Sequence, residues 1–141
     1  MSDSRLEDRQ AIREVMVRYA HGLDSRDLDM VQSVFAPDAY AEYGTFKDTG
    51  ADKITEMLRN AINRFQGTLH FMGNQFIQFK DGAADVETYC VASHLIPGEG
   101  GQDLLVIGLR YYDEMAPQGD HWVIRRRRIN ILWRQTSPCN R

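Results

Sequence analysis

Apolar residues in the first third of the chain recur three and four positions apart, the period of one helical side. Ile12, Val15, Met16, Tyr19 and Leu23 predict a helix from Leu6 to Leu23, with Gly22 near its end suited to a turning chain. Asp27 then caps a short helix through Leu28, Val31, Val34 and Phe35, which Pro37 and Asp38 end. Residues 39–45 alternate, Tyr40 and Glu42 on one side and Ala41 and Tyr43 on the other, and predict a first strand that continues weakly to Phe46. Thr49-Gly50 opens a second long helix whose stripe is Ile54, Met57, Leu58, Ala61, Ile62 and Phe65, and Gly67 stops it. Beyond Gly67 the period is two. Strands over 68–79 and 84–96 flank Asp81-Gly82 as a tight hairpin turn. A looser turn at 97–101, a strand over 103–113, a turn at 117–120 and a last strand over 121–134 follow.

Helices first and long hairpins after imply an α+β fold, with the N-terminal helices packed over the concave face of a curved, mostly antiparallel sheet. Such a layout leaves a pocket with one open mouth, where inward polar residues are not ordinary core. With 141 residues the chain reads as a single domain over 1–141, with 136–141 a flexible tail. A formal charge of -3 argues against a nucleic-acid partner despite the run Arg125-Arg126-Arg127-Arg128. The two cysteines, Cys90 and Cys139, make neither a metal spacing nor a disulfide framework, which suits a reducing compartment and a cytoplasmic location. The N-terminal ten residues are polar, and no apolar run is long enough to cross a membrane.

Asp24 follows the apolar stripe of the first helix toward the interior. A carboxylate there needs a partner, because an unpaired buried charge is expensive or takes up a proton. It caps the next helix, pairs with an arginine, or serves a site; the residues alone leave these open. In the stretch 68–76, His70, Met72 and Asn74 share one strand face, and Leu69, Phe71 and Gly73 the other. His94 shares the small, largely apolar face of the next strand with Val86, Thr88, Cys90 and Ala92. One histidine in a sheet is commonly a satisfied structural residue, but two on adjacent strands near Asp24 and Tyr43 point to a site. The four arginines divide by alternation: Arg125 and Arg127 go with Val123, Ile129, Ile131 and Trp133, and Arg126 and Arg128 with Trp122, Ile124 and Leu132. The buried pair needs carboxylates such as Asp24, Glu42 or Glu87, or a substrate oxygen, since a guanidinium does not discharge. A cross-strand ion-pair ladder serves the others. The chain has no Gly-rich phosphate loop, no nucleophile elbow and no His/Cys cluster with metal spacing.

Four segments carry a resemblance: Arg18-Tyr19-Ala20-His21-Gly22-Leu23-Asp24 with Asp27; Phe35-Ala36-Pro37-Asp38-Ala39; Thr68-Leu69-His70-Phe71-Met72-Gly73-Asn74 leading to Asp81-Gly82; and Trp122-Val123-Ile124-Arg125-Arg126-Arg127-Arg128 with Trp133. Together they resemble the SnoaL-like group of the nuclear transport factor two superfamily, which holds scytalone dehydratase, hexachlorocyclohexane dehydrochlorinase, bile-acid 7α-dehydratases and ketosteroid isomerase. The resemblance implies a cone-shaped α+β barrel and an Asp24–His70 general-base dyad. It places Arg127 as the inward arginine five residues after Trp122, Tyr43 and His94 around a substrate oxygen, and Tyr19 beside them. Met57, Leu58, Met72, Val106 and Trp133 would complete an apolar pocket for a flat ring.

The implied function is a cofactor-independent lyase, a dehydratase, acting on a small cyclic or polycyclic hydrophobic substrate, with no metal and no organic cofactor. Isomerase or polyketide-cyclase chemistry in the same pocket, and a non-catalytic small-molecule binding module, are the alternatives. The resemblance also implies a homo-oligomer, trimer or dimer, formed through the convex sheet face with Leu95 and Leu105 exposed on it.

Overall fold

The structure is a computed structural model that describes residues 5–140. Helix α1 (Leu6–Ser25) buries Ile12, Val15, Met16, Tyr19 and Leu23, the stripe that its sequence spacing demands. It ends where Arg26 turns left-handed (φ 63°) and the Asp27 N–H donates to the Gly22 carbonyl at 2.8 Å. Gly22 is needed there, because a Cβ would lie 2.8 Å from the Val31 side chain. That close approach folds α2 (Leu28–Ser33) back against α1, with the Asp27 carboxylate accepting from the Met30 N–H at 3.1 Å.

Strand β1 (Phe35–Tyr43) begins earlier than the sequence pattern suggests. Phe35 pairs with Ile124, so Phe35 and Pro37-Asp38 belong to the strand and not to the end of α2. Proline is tolerated because it falls in the bulge between the Phe35 and Tyr40 pairings, where no ladder hydrogen bond is asked of it. Strand β2 (Phe46–Thr49) follows, then α3 (Ala51–Ile62), which buries Ile54, Leu58 and Ile62 and ends before Gly67. Gly67 instead opens β3 (Gly67–Lys80), and β4 (Ala83–Gly98), β5 (Gly101–Gln118) and β6 (His121–Pro138) complete the sheet. Its order is β2-β1-β6-β5-β4-β3, antiparallel throughout except for the parallel β1–β6 pair. The Asp81-Gly82 turn is present with both residues left-handed (φ 50° and 76°). The turn expected at 97–101 is tighter than predicted, with Gly98 paired to Gly101. Residues 136–138, expected in a tail, pair with Leu105, Leu104 and Asp103 as part of β6.

Three bulges decide which side chains face the helices. Between Met72 and Gln75 the β3 register slips, so Gln75 turns inward and Asn74 outward, against the expected His70, Met72, Asn74 face. A slip at Glu114/Met115 swings Arg127 opposite Asp113, and one at Gly108/Leu109 sets Trp133 opposite Gly108. Trp133 therefore lies in a cross-strand row with Phe71, Val91 and Gly108 on the outer face, its ring filling the space over Gly108. Helix α1 packs on β3 and β6, and α3 on β1, so the α1 and α3 stripes and the inner sheet face share one core. Among the described residues no helix is long and apolar enough to cross a membrane.

Candidate active site

Between α1, α3 and the inner sheet face lies a cavity of about 150 Å³. Its walls are mostly apolar: Leu23 from α1, Leu58, Ala61 and Ile62 from α3, and Ala92, Ile107, Leu109, Ile129 and Ile131 from the sheet. The polar groups reaching it are His70, His94, Tyr19, Tyr43 and Tyr111.

Asp24 stands behind His70 at the end of α1. Its Oδ1 is 2.7 Å from His70 Nδ1, its Oδ2 accepts the His70 backbone N–H at 2.9 Å, and Oδ1 also accepts the Thr68 hydroxyl at 3.0 Å. Burial alone would raise the Asp24 pKa, but the hydrogen bonds from the His70 ring and backbone and from Thr68 outweigh it and hold the carboxyl below its ordinary range. An ionised carboxylate only accepts, so His70 Nδ1 carries the proton and Nε2 is left as the basic nitrogen. The ring is tightly packed, its side chain 7% exposed.

His94 is on β4, its ring 5.8 Å from His70 and 4.5 Å from Phe65. Burial lowers its pKa, only partly countered by the Leu105 carbonyl 3.2 Å from Nδ1. A neutral ring donating from Nδ1 to that carbonyl presents Nε2 as an acceptor.

Arg127 is fully buried, and Asp113 is its partner, not Asp24, Glu42 or Glu87. Nε and Nη2 donate to the two Asp113 oxygens at 2.7 and 2.8 Å, Nη2 also to Met16 Sδ at 3.0 Å, and Nη1 to the Tyr43 hydroxyl at 3.0 Å. The guanidinium lies between the Tyr19 and Tyr111 rings, 4.5 and 4.2 Å from their centroids. Burial pulls the Arg127 pKa down, yet the charge of Asp113 prevails and raises it well above the ordinary value. Arg127 does not line the cavity; its charge reaches it through Tyr43, whose hydroxyl is 2.9 Å from that of Tyr19. Burial pushes the phenols of Tyr19, Tyr43 and Tyr111 above their ordinary value, opposed by Arg127.

Of the residues expected from the sequence, His70, His94, Tyr19, Tyr43 and Leu58 line this cavity, with Asp24 one contact behind. Met57, Met72 and Trp133 do not. Met57 packs against the core edge, Met72 lines a separate gap with Met16 and Gln75, and Trp133 is on the outer face, as is Val106 through its pairing with Ser93. Tyr111, Asp113 and Thr68 were missed, although Leu109, Tyr111, Asp113 and Met115 alternate legibly on one face of β5. A larger hollow of about 420 Å³ on the outer face is lined by Tyr40, Glu42, Glu87, Tyr112, Glu114, Arg126 and Arg128. Two of its carboxylates are already paired, Glu87 with Arg110 and Glu114 with Arg125. Among the described residues no three His, Cys, Asp or Glu side chains gather to hold a metal ion.

The family profile of the SnoaL-like domain matches residues 4–128. The chain belongs to the SnoaL-like family. Its relatives include uncharacterized proteins of Mycobacterium tuberculosis and Mycobacterium bovis, each 30% identical over 129 residues, which cover 90% of this SnoaL-like chain and 87% of the relative. Among solved structures it is similar to a candidate scytalone dehydratase of Novosphingobium aromaticivorans, at TM-score 0.85 and 24% identity over 99% of this chain and 94% of that one. It is also similar to a hexachlorocyclohexane dehydrochlorinase of Novosphingobium barchaimii, at TM-score 0.81 and 18% identity over 94% and 92% of the two chains. At these identities the solved structures establish the shared α+β cone.

Proposed function

We propose that the protein is a cofactor-independent lyase, a dehydratase, that acts on a small cyclic hydrophobic compound. The observation carrying this reading is the 2.7 Å contact between Asp24 and His70 Nδ1, which leaves Nε2 as the base of a ring that lines an apolar cavity. Nε2 takes a carbon-bound proton next to a carbonyl, and the electron pair passes toward that oxygen, which accepts a hydrogen bond from Tyr43. As the carbanion's electrons form the new double bond, a hydroxyl on the adjacent carbon departs with the proton returned by His70. Water leaves and the ring is reset. A volume of about 150 Å³ suits one ring rather than several, since pockets for drug-sized ligands run from roughly 300 Å³ upward. The dehydratase and dehydrochlorinase named among the similar structures support elimination chemistry in this fold.

The test is the parent protein and His70→Gln assayed side by side for binding and turnover of a panel of cyclic hydroxy-ketones and halogenated cyclohexanes. Loss of turnover with retained ligand binding supports the base. Unchanged turnover removes it, and binding without any turnover by the parent protein would favour a binding module.

The same reading includes a homo-oligomer built on the outer sheet face. Leu69, Phe71, Val91 and Trp133 are 58%, 67%, 41% and 46% exposed; they lie on β3, β4 and β6, with the Trp133 ring bridging β5 over Gly108. A contiguous apolar patch of this kind is uncommon on a monomer. Leu105 is not part of it, because it pairs with His94 on the inner face.

A further inference from the structure

Arg26 is a half-buried residue in the link between α1 and α2, and its backbone occupies the left-handed region at φ 63°. Glycine or asparagine is the ordinary occupant of that helix-end position, since a larger side chain is strained there. The side chain explains the exception. Nη1 donates to the Leu23 carbonyl at 2.7 Å and to Thr68 Oγ1 at 3.0 Å, and Nη2 to the carbonyls of Ile62 and Phe65 at 3.3 and 3.4 Å. One guanidinium thus gathers the end of α1, the end of α3 and the start of β3.

The Thr68 contact has a chemical consequence. A hydroxyl has one proton, and a guanidinium only donates, so the Thr68 oxygen must accept from Arg26 and its proton is directed to Asp24 Oδ1, 3.0 Å away. Accepting from a cation also strengthens the hydroxyl as a donor. The chain of donation is Arg26 to Thr68 to Asp24, meeting the His70 donation at the same Oδ1. Without the guanidinium the Thr68 oxygen loses its anchor, and Asp24 Oδ1 loses a donor that is held in place beside the His70 ring. The Phe65 whose carbonyl Arg26 contacts packs its ring against His94 at 4.5 Å, tilted by 49°, and lines the cavity.

We propose that Arg26 is a positioning residue for the dyad, acting on Asp24 through Thr68. The inference rests on the Asp24–His70 reading above, and the two fail differently. The experiment reads the ring nitrogen-15 signals of His70, which report its tautomer directly. In the parent protein at alkaline pH, where an imidazole is neutral, they should lie far apart, with Nδ1 protonated. If they do not, the dyad reading itself is overturned before any Arg26 variant is made.

Given that result, Arg26→Gln and Thr68→Val should each bring the two signals together, while Thr68→Ser keeps them apart. Arg26→Gly removes the backbone strain along with the guanidinium. It should fold and still lose the tautomer preference, which a purely structural cap would not cause. In a Thr68→Val background, Arg26→Gln should add nothing. His70 signals unchanged in folded Arg26→Gln or Arg26→Gly, or effects of Arg26 and Thr68 that add in full, would overturn the proposal.

Discussion

Arg127 Nη1 donates to the Tyr43 hydroxyl at 3.0 Å, and through that phenol a fully buried charge is delivered to the wall of an apolar cavity. Because Arg127 holds the oxygen of Tyr43 by its lone pair, the Tyr43 proton is left for Tyr19 or for a ligand oxygen. Tyr43→Phe should therefore cost about 10²–10³ in turnover, the usual loss for one oxyanion donor. Arg127→Lys should cost nearly as much, since a single ammonium nitrogen lacks the planar fork whose separate nitrogens reach both Asp113 oxygens and Tyr43. Combined, the two losses should fall well short of their product. Steady-state kinetics on the single and double variants checks this, and fully multiplicative losses would break the link between the two residues.

Asp24→Asn should fold normally and lose about 10²–10⁴ in turnover, the usual share of a general base. An amide in place of the carboxylate presents an N–H as readily as an oxygen to His70 Nδ1, so the ring can settle with its proton on Nε2. That tautomer points a hydrogen at the substrate where a lone pair is needed. The check pairs a denaturation curve with a kinetic assay; full activity in the folded variant would discard the dyad.

The element order and the inward positions of Asp24 and His70 could be read from spacing, whereas their pairing in the candidate site was implied by the family resemblance. Asp24 continues the stripe of Tyr19 and Leu23, and His70 precedes the β3 bulge, so periodicity places both correctly. The bulges are where that reading stops. A ladder counted back from the Gln118 and His121 pair without a slip would set Arg127 against Tyr112; the slip at Glu114/Met115 gives it Asp113 instead. The second slip, at Gly108/Leu109, carries Trp133 away from the cavity and leaves Arg127 inside. Single-residue slips reverse every later side chain, and the residues around Leu132 and Arg125 carry no glycine or proline to announce them.

The Asp113–Arg127 pair makes a stability prediction with an internal control. Both side chains are fully shielded from solvent. Asp113→Ala should destabilise the protein by about 3–5 kcal/mol, because it strands a buried guanidinium rather than merely deleting a contact. Asp113→Leu combined with Arg127→Met should recover much of that loss, since it removes both charges and restores apolar volume. Chemical denaturation of the two variants decides it: a double variant as weak as Asp113→Ala would show that packing, not charge, sets the cost.

The outer face should prove to be an interface. Phe71 and Trp133 lie in one cross-strand row at opposite ends of the apolar patch. Phe71→Glu with Trp133→Glu should bring the solution mass down to that of one chain while leaving the cavity intact, because the side chains lie on the opposite side of the sheet. Light scattering measures it, and a parent protein already monomeric at micromolar concentration ends the idea.

The pH dependence of stability has a definite sign in two windows. His94 is 6% exposed, and its folded pKa is depressed by burial, so the unfolded chain takes up the proton first as pH falls. Its contribution is fully present above the unfolded value near 6.5 and is lost as pH falls through the folded value. Asp24 is also depressed, burial working against it and the His70 and Thr68 hydrogen bonds prevailing. Its contribution is complete above about pH 4 and is lost only below that. Unfolding free energy should therefore decline in two steps on acidification, the first below about pH 6.5 and the second below about pH 4. His94→Phe should flatten the first and leave the second, and Asp24→Asn should do the reverse. Urea titrations at half-unit intervals from neutral to acid measure both. A His94→Phe protein with the parent's full decline between pH 6.5 and 5 would mean that the buried ring is not the group taking up the proton.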